Sequence, residues 1–169
     1  GLISNLAKRP QGNDRAQIKS IYSGECKIII INHYYYGKLT YSQNPDHREW
    51  AKASFIVFPN QGPDERGAHI NISGGGVVKF SKNKELAINF LEFLVTEEAQ
   101  ILYGDVNFEY PINNSSKLPA RLKALGTFKE DSLLIEEIAK IAPKAQEIID
   151  KVYWYCLLYT SPSPRDDSQ

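Results

Sequence analysis

The chain has 169 residues, enough for one ordinary domain, and its 42% hydrophobic and 24% charged residues describe a globular composition. The 20 basic and 20 acidic residues cancel, which leaves no electrostatic case for nucleic acid or an acidic membrane surface as partner. No apolar stretch approaches the ~20 residues of a membrane span. Cys26 and Cys156 make no disulfide framework, and no Cys/His spacing suggests zinc.

The first residues, Gly1 to Leu6, read as if already inside a helix, and Arg9-Pro10-Gln11-Gly12-Asn13 reads as a loop. Residues 14–23 form a predicted helix with Asn13 as its cap, Ile18 and Ile21 facing inward and Gly24 as its stop. Cys26 reads as a small buried residue just before a run of four isoleucines, residues 28–31. That run predicts a strand buried on both faces, as in a parallel sheet flanked by helices. Asn32 is placed to cap a new helix from Tyr34 to about Tyr41. Gln43-Asn44-Pro45-Asp46 is a predicted loop, 54–58 a second apolar strand stopped by Pro59, and 60–67 an exposed turn segment. Residues 69–73 alternate like a half-buried strand, with His69 on the exposed face. Gly74-Gly75-Gly76 has neither the spacing nor the Lys-Ser of a phosphate loop and reads as a bend.

A helix capped near Ser81 or Asn83 follows, with Leu86, Phe90, Phe93 and Leu94 predicted inward. Another starts at Thr96, where Glu97 and Glu98 suit the helix dipole and are not a catalytic dyad. Residues 108–111 are predicted extended, since the residue before a proline avoids the helical region. The last helical stretch, 133–152, should face Ile135, Ile138, Ala142, Ala145 and Ile149 inward and be kinked or divided by Pro143. From Tyr155 onward the composition changes abruptly, and residues 155–169 resemble a read-through adapter sequence, expected to be a non-native tail without function.

The segment Asn32-His33-Tyr34-Tyr35-Tyr36 carries the chemistry. It follows the isoleucine run at its carboxyl end, the edge where open α/β sheets bind ligands. Three adjacent phenols suit a core poorly, because each hydroxyl needs a partner. Phenolate is a hard oxygen donor, and a trivalent cation can displace its proton although the free pKa is about 10. For Tyr34 and Tyr35 to converge, the chain must turn into a helix at Asn32, since adjacent side chains diverge on a strand. The plain alternative is an aromatic helix start packed at a surface cleft. His33 is a candidate for an outer partner or an extra ligand, although a histidine in such a place is more often structural. No serine sits in a nucleophile elbow, and no tyrosine has a partner that would make it a catalytic base.

The motifs Arg9-Pro10-Gln11-Gly12-Asn13-Asp14-Arg15, Ser23-Gly24-Glu25-Cys26 and Asn32-His33-Tyr34-Tyr35-Tyr36-Gly37-Lys38-Leu39 resemble the ferric iron substrate-binding proteins of bacterial ABC transporters. Residues 67–77, 107–112 and 126–132 continue the likeness, which covers about residues 1–154. The resemblance implies an α/β, two-lobed, Venus-flytrap fold of the type II periplasmic-binding-protein class, here incomplete and limited to its carboxyl-terminal half. It divides the chain into 1–58, part of the carboxyl-terminal lobe with the tyrosine motif; 59–105, a return segment to the amino-terminal lobe; 106–154, carboxyl-terminal lobe helices; and the tail.

By the same resemblance Tyr34 and Tyr35 are metal ligands, Asn32 helps hold a synergistic anion, and His33 replaces a Thr, Ser or Asn. Ligands contributed by the amino-terminal half of such proteins have no counterpart here. The implied function is capture of ferric iron, with or without an anion, by a monomeric periplasmic or lipid-anchored protein that delivers it to an ABC permease and catalyses no reaction. The rival within binding proteins is a receptor for an anion or small organic solute on which the tyrosines stack. Gly74-Gly75-Gly76 stands where many relatives have Gly-Ala-Gly.

Overall fold

The structure is a computed structural model that describes residues 3–8, 11–113 and 115–154. The chain divides into two compact units, Asn13–Ser132 and the pair of segments Gly1–Gly12 and Leu133–Gln169.

In the larger unit, α1 (Asp14–Tyr22) starts where the sequence places it. The Asn13 side-chain oxygen accepts the Ala16 N–H at 3.2 Å, and Gly24, at φ +77°, ends the helix with its N–H on the Ile21 carbonyl. α2 (His33–Thr40) and α3 (Pro45–Lys52) follow. Ile18 of α1, Leu39 of α2 and Ala51 of α3 meet in one core, against which Ile29, Ile31, Tyr35, Tyr36 and Trp50 pack. Ile18 and Leu39 are essentially inaccessible, each burial stabilising the unit by roughly 1.5–3 kcal/mol.

α3 overturns the expectation of a simple loop at 43–46. Asn44 caps it by accepting the Asp46 N–H at 2.9 Å, and Pro45 occupies the first helical position, where its missing N–H costs nothing.

The predicted strands at 28–31, 54–58 and 69–73 form no ladder among the described residues. Ile28 and Ile30 are 86% and 80% exposed, whereas Ile29 and Ile31 pack on the core. The run is therefore buried on one face only, not on both. Phe55 and Val57 are likewise exposed while Ile56 and Phe58 are half-buried. The period of two is present, but a strand needs a neighbour to pair with, and no described segment supplies one. The one bridge in the described residues is parallel, between Ala68 and Glu130. The Ala68 N–H donates to the Lys129 carbonyl and the Asp131 N–H to the Ala68 carbonyl, at 2.9 and 2.8 Å. Gly67 makes this approach possible: at φ +95°, a Cβ on it would lie 2.4 Å from the Glu130 oxygen. The Arg66 Nε donates to buried Asp131 at 2.7 Å beside the bridge. His69 is exposed, as expected, and Cys26 is half-buried and free.

α4 (Lys84–Leu94) begins after Asn83, but its apolar stripe is not covered: Leu86 and Phe90 are 69% and 58% exposed, and Phe93 is exposed with them. The helix was legible from its spacing; the burial read from the same spacing is corrected. α5 (Glu97–Asn107) has the Thr96 cap expected of it, with Oγ1 accepting the Ala99 N–H. Its Gly104 lets Pro119 and Leu122 of α6 (Ala120–Lys123) approach: a Cβ there would meet Pro119 at 3.0 Å.

α5 ends on Phe108 in the left-handed region, φ +62°, so the extended segment predicted at 108–111 begins one residue late. A non-glycine in that region costs roughly 1–2 kcal/mol. Packing offsets the cost, since Phe108 is 3% exposed and its ring lies against Gly37.

The second unit contains a 3₁₀ turn, Ile3–Asn5, and α7 (Ile135–Lys151). α7 is one helix through Pro143, not two. Of the residues predicted inward, Ile138 and Ile149 are half-buried, while Ile135, Ala142 and Ala145 are exposed. The tail expected from Tyr155 lies outside the described residues, as do Arg9 and Pro10. No helix among the described residues is long and apolar enough to cross a membrane.

Candidate metal centre at the start of α2

The first turn of α2 carries Tyr34 and Tyr35, and their ring centroids are 4.6 Å apart at 39°. Convergence follows from the helix: successive residues lie about 100° apart, not on opposite faces. The third phenol plays another part. Tyr36 turns to the core and donates its hydroxyl to the Ser54 carbonyl at 3.1 Å, so one of the three phenols does have the buried partner that a core position requires.

Without metal, the Tyr34 phenol holds its proton firmly. Burial pushes the Tyr34 phenol up to about 12, and the charge and hydrogen bond of Tyr35, then Asp14 and Glu109, add to the rise. Asp14 and Glu109 thus join the neighbourhood, and the sequence reading had not singled out either. Cations flank the rings as well. Lys38 Nζ is 5.4 Å from the Tyr34 centroid, and the Arg15 guanidinium carbon is 5.9 Å from that of Tyr35.

Asn32 occupies the N-cap position, but its side chain makes no cap hydrogen bond. Its backbone N–H instead donates to the Asp14 carboxylate at 3.0 Å, tying the start of α2 to the first turn of α1. His33 Nε2 is 2.6 Å from the Phe108 carbonyl oxygen. A carbonyl only accepts, so Nε2 carries the proton and Nδ1 keeps its lone pair in the neutral ring. Burial lowers the His33 pKa below its ordinary 6.5, against the opposing pull of the Phe108 carbonyl and Glu109. The His33 ring also lies 5.0 Å from Tyr110, whose hydroxyl donates to the Gly126 carbonyl at 2.6 Å. Asn32, His33, Tyr34 and Tyr35 are therefore one constellation, extended by Asp14 and Glu109. Asp14 and Glu109 both lie in segments that carry the family likeness, but nothing in the sequence placed either beside the tyrosines.

Among the described residues no group of three or more His, Cys, Asp or Glu side chains could hold a metal ion. The Tyr34 and Tyr35 phenols come together on one helical turn, and the Asp14 and Glu109 charges are felt at Tyr34.

No protein-family model matches the chain. Iron uptake protein A1 of Synechocystis sp. is 39% identical over 154 residues, which are 91% of this chain and 42% of that protein. Among solved structures, the ferric binding protein from Campylobacter jejuni aligns with a TM-score of 0.83 at 42% identity, covering 89% of this chain and 47% of that one. A Trichodesmium protein in complex with iron and citrate ligands aligns with a TM-score of 0.81, also at 42% identity, over 89% and 47% of the respective chains. The chain spans less than half the length of these relatives. By sequence and by fold it belongs to the bacterial ferric-iron-binding proteins of the type II periplasmic-binding-protein class.

Proposed function

We propose that the chain is part of an extracytoplasmic, periplasmic solute-binding protein that captures ferric iron through the phenolates of Tyr34 and Tyr35 and delivers it to an ABC permease. The observation that carries this reading is the phenol pair, 4.6 Å between centroids on one helical turn. A ferric ion supplies the Lewis acidity needed to displace a proton that Tyr34 otherwise holds up to about pH 12. Asp14 and Glu109 offset the charges of Lys38 and Arg15 around the pair, which lowers the cost of bringing a cation there.

The rival reading, a solute stacked on the tyrosines, has less support. Lys38 and Arg15 already lie over the two rings, so one face of each ring is engaged by the chain's own cations. Binding, positioning and release require no bond-making on the ligand, in keeping with a transport protein and not an enzyme.

Phenolate-to-ferric charge transfer gives a visible band. Ferric nitrilotriacetate added to the chain should produce that band, and the double variant Tyr34→Phe, Tyr35→Phe should lack it while keeping its far-ultraviolet circular dichroism. A band that survives the double substitution would remove these tyrosines as ligands.

A further inference from the structure

We propose that His33 is a positioning residue for the phenol pair, acting through its hydrogen bond to the Phe108 carbonyl and not as a metal ligand; this rests on the ferric reading of Tyr34 and Tyr35. α2 is short, only 8 residues, and its cap residue provides no side-chain hydrogen bond. A helix of that length without a cap is marginal alone, so its first turn frays unless other elements hold it. The first turn is the one that carries the tyrosines.

Besides the Asn32–Asp14 and Tyr36–Ser54 bonds, what holds it is the end of α5. Phe108 meets α2 along one face. Its carbonyl accepts from His33, its ring lies where a Cβ on Gly37 would be 2.5 Å from Cγ, and it stacks on Tyr41 at 5.5 Å and 13°. Positions 33, 37 and 41 are spaced by four and share a helix face. The Gly37 and Tyr41 contacts secure the middle and the end of α2, and of the three contacts with Phe108 the His33 bond is the one that reaches the turn of Tyr34. With Nε2 committed to Phe108, the imidazole fixes this turn by donating an N–H, which is a role an amide can imitate.

The prediction separates positioning from ligation. His33→Leu removes the donor and keeps the bulk; His33→Gln restores an N–H donor of similar reach without an imidazole. Titrating the chain with ferric nitrilotriacetate, we expect the leucine variant to bind about 10–100-fold more weakly than the parent with a displaced charge-transfer band. The glutamine variant should return near the parent in both respects. Equal binding by parent and leucine variant would overturn the proposal, and equal loss in both variants would show that His33 is itself a ligand.

If the leucine variant does not fold, His33→Ala takes its place with the same expectations. If the parent gives no band, the ferric reading fails, and the near-ultraviolet circular dichroism of the metal-free tyrosines decides the positioning alone. The Tyr34–Tyr35 contribution, defined by its loss in the double phenylalanine variant, should be reduced by leucine and kept by glutamine. A spectrum unchanged by leucine overturns the proposal.

Discussion

His33 Nε2 lies 2.6 Å from the carbonyl oxygen of Phe108, 75 residues further along the chain. This bond joins the first turn of α2 to the left-handed residue that ends α5, so the geometry of the tyrosine pair depends on how closely those two elements approach. Gly37 sets that approach, because there is no room for a methyl group between α2 and the Phe108 ring.

Gly37→Ala should therefore destabilise the unit although alanine is the better helix former. Helix propensity favours alanine by about 1 kcal/mol. A Cβ 2.5 Å from Phe108 Cγ forces the ring or α2 to move, and overpacking of this kind costs roughly 1–3 kcal/mol. The clash should win. Urea unfolding should show a lower midpoint with an unchanged slope, and a raised midpoint would mean that Phe108 moves aside freely.

How much was legible in the sequence depended on the range of the interactions involved. Helix starts at Asn13 and Thr96 were readable because a cap is a contact between residues three apart. The start at Asn44 has a cap bond spanning two residues and Pro45 after it, yet Asn-Pro-Asp builds turns equally well, so the sequence there reads as a loop. Burial was less legible than periodicity. Leu86 and Phe90 keep helical spacing and Ile28 and Ile30 keep strand spacing, yet all are exposed, since a pattern declares a face and says nothing of what covers it. At the site, the adjacent phenols and the turn at Asn32 were visible. The partners of His33 and Asn32 were not, because Phe108 and Asp14 are brought there by packing alone.

The chain alone should bind ferric iron more weakly than a protein of the relatives' full length. Two phenolates leave most of a six-coordinate shell to water or buffer, and this chain spans less than half of the relatives it matches. Competition against citrate, run in parallel on both proteins, gives the comparison. Equal affinities would show that the chain's own residues complete the site.

Alkali should weaken the metal-free fold earlier than tyrosines of ordinary acidity would allow. The Tyr34 pKa rises from 10.0 to about 12, mainly by burial, and burial also raises that of Tyr110. A raised folded-state pKa means that the folded chain favours the protonated phenol. Its contribution is complete below the unfolded value near 10 and is lost as pH climbs through the folded value. Urea midpoints should hold steady up to about pH 9.5 and then fall toward pH 12. In the variant Tyr34→Phe, Tyr110→Phe the fall should be shallower, at a lower plateau, because the bond from Tyr110 to the Gly126 carbonyl is gone, about 1 kcal/mol. Parallel curves for the variant and its parent would mean that these phenols do not report the transition.

Acid, in contrast, should empty the loaded site, and no thiol should take part. Ligation requires Tyr34 and Tyr35 as phenolates, so every bound ferric ion displaces protons and falling pH reverses the exchange. Because the Tyr34 proton is held more firmly than that of a free phenol, protons compete more strongly with the metal for this oxygen, and release begins at a higher pH than for an unshifted tyrosine. Cys26 is half-buried and belongs to the segment before the isoleucine run, outside the constellation of Asn32, His33, Tyr34 and Tyr35. The charge-transfer band should bleach as pH falls, with the same midpoint in parent and Cys26→Ser. Tyr34→Phe should leave a weaker band, since one phenolate is lost, and Tyr35→Phe should leave another of comparable strength. A midpoint displaced by the serine substitution would assign the thiol a part in release, and a band that persists in strong acid would mean that its chromophore is not a phenolate.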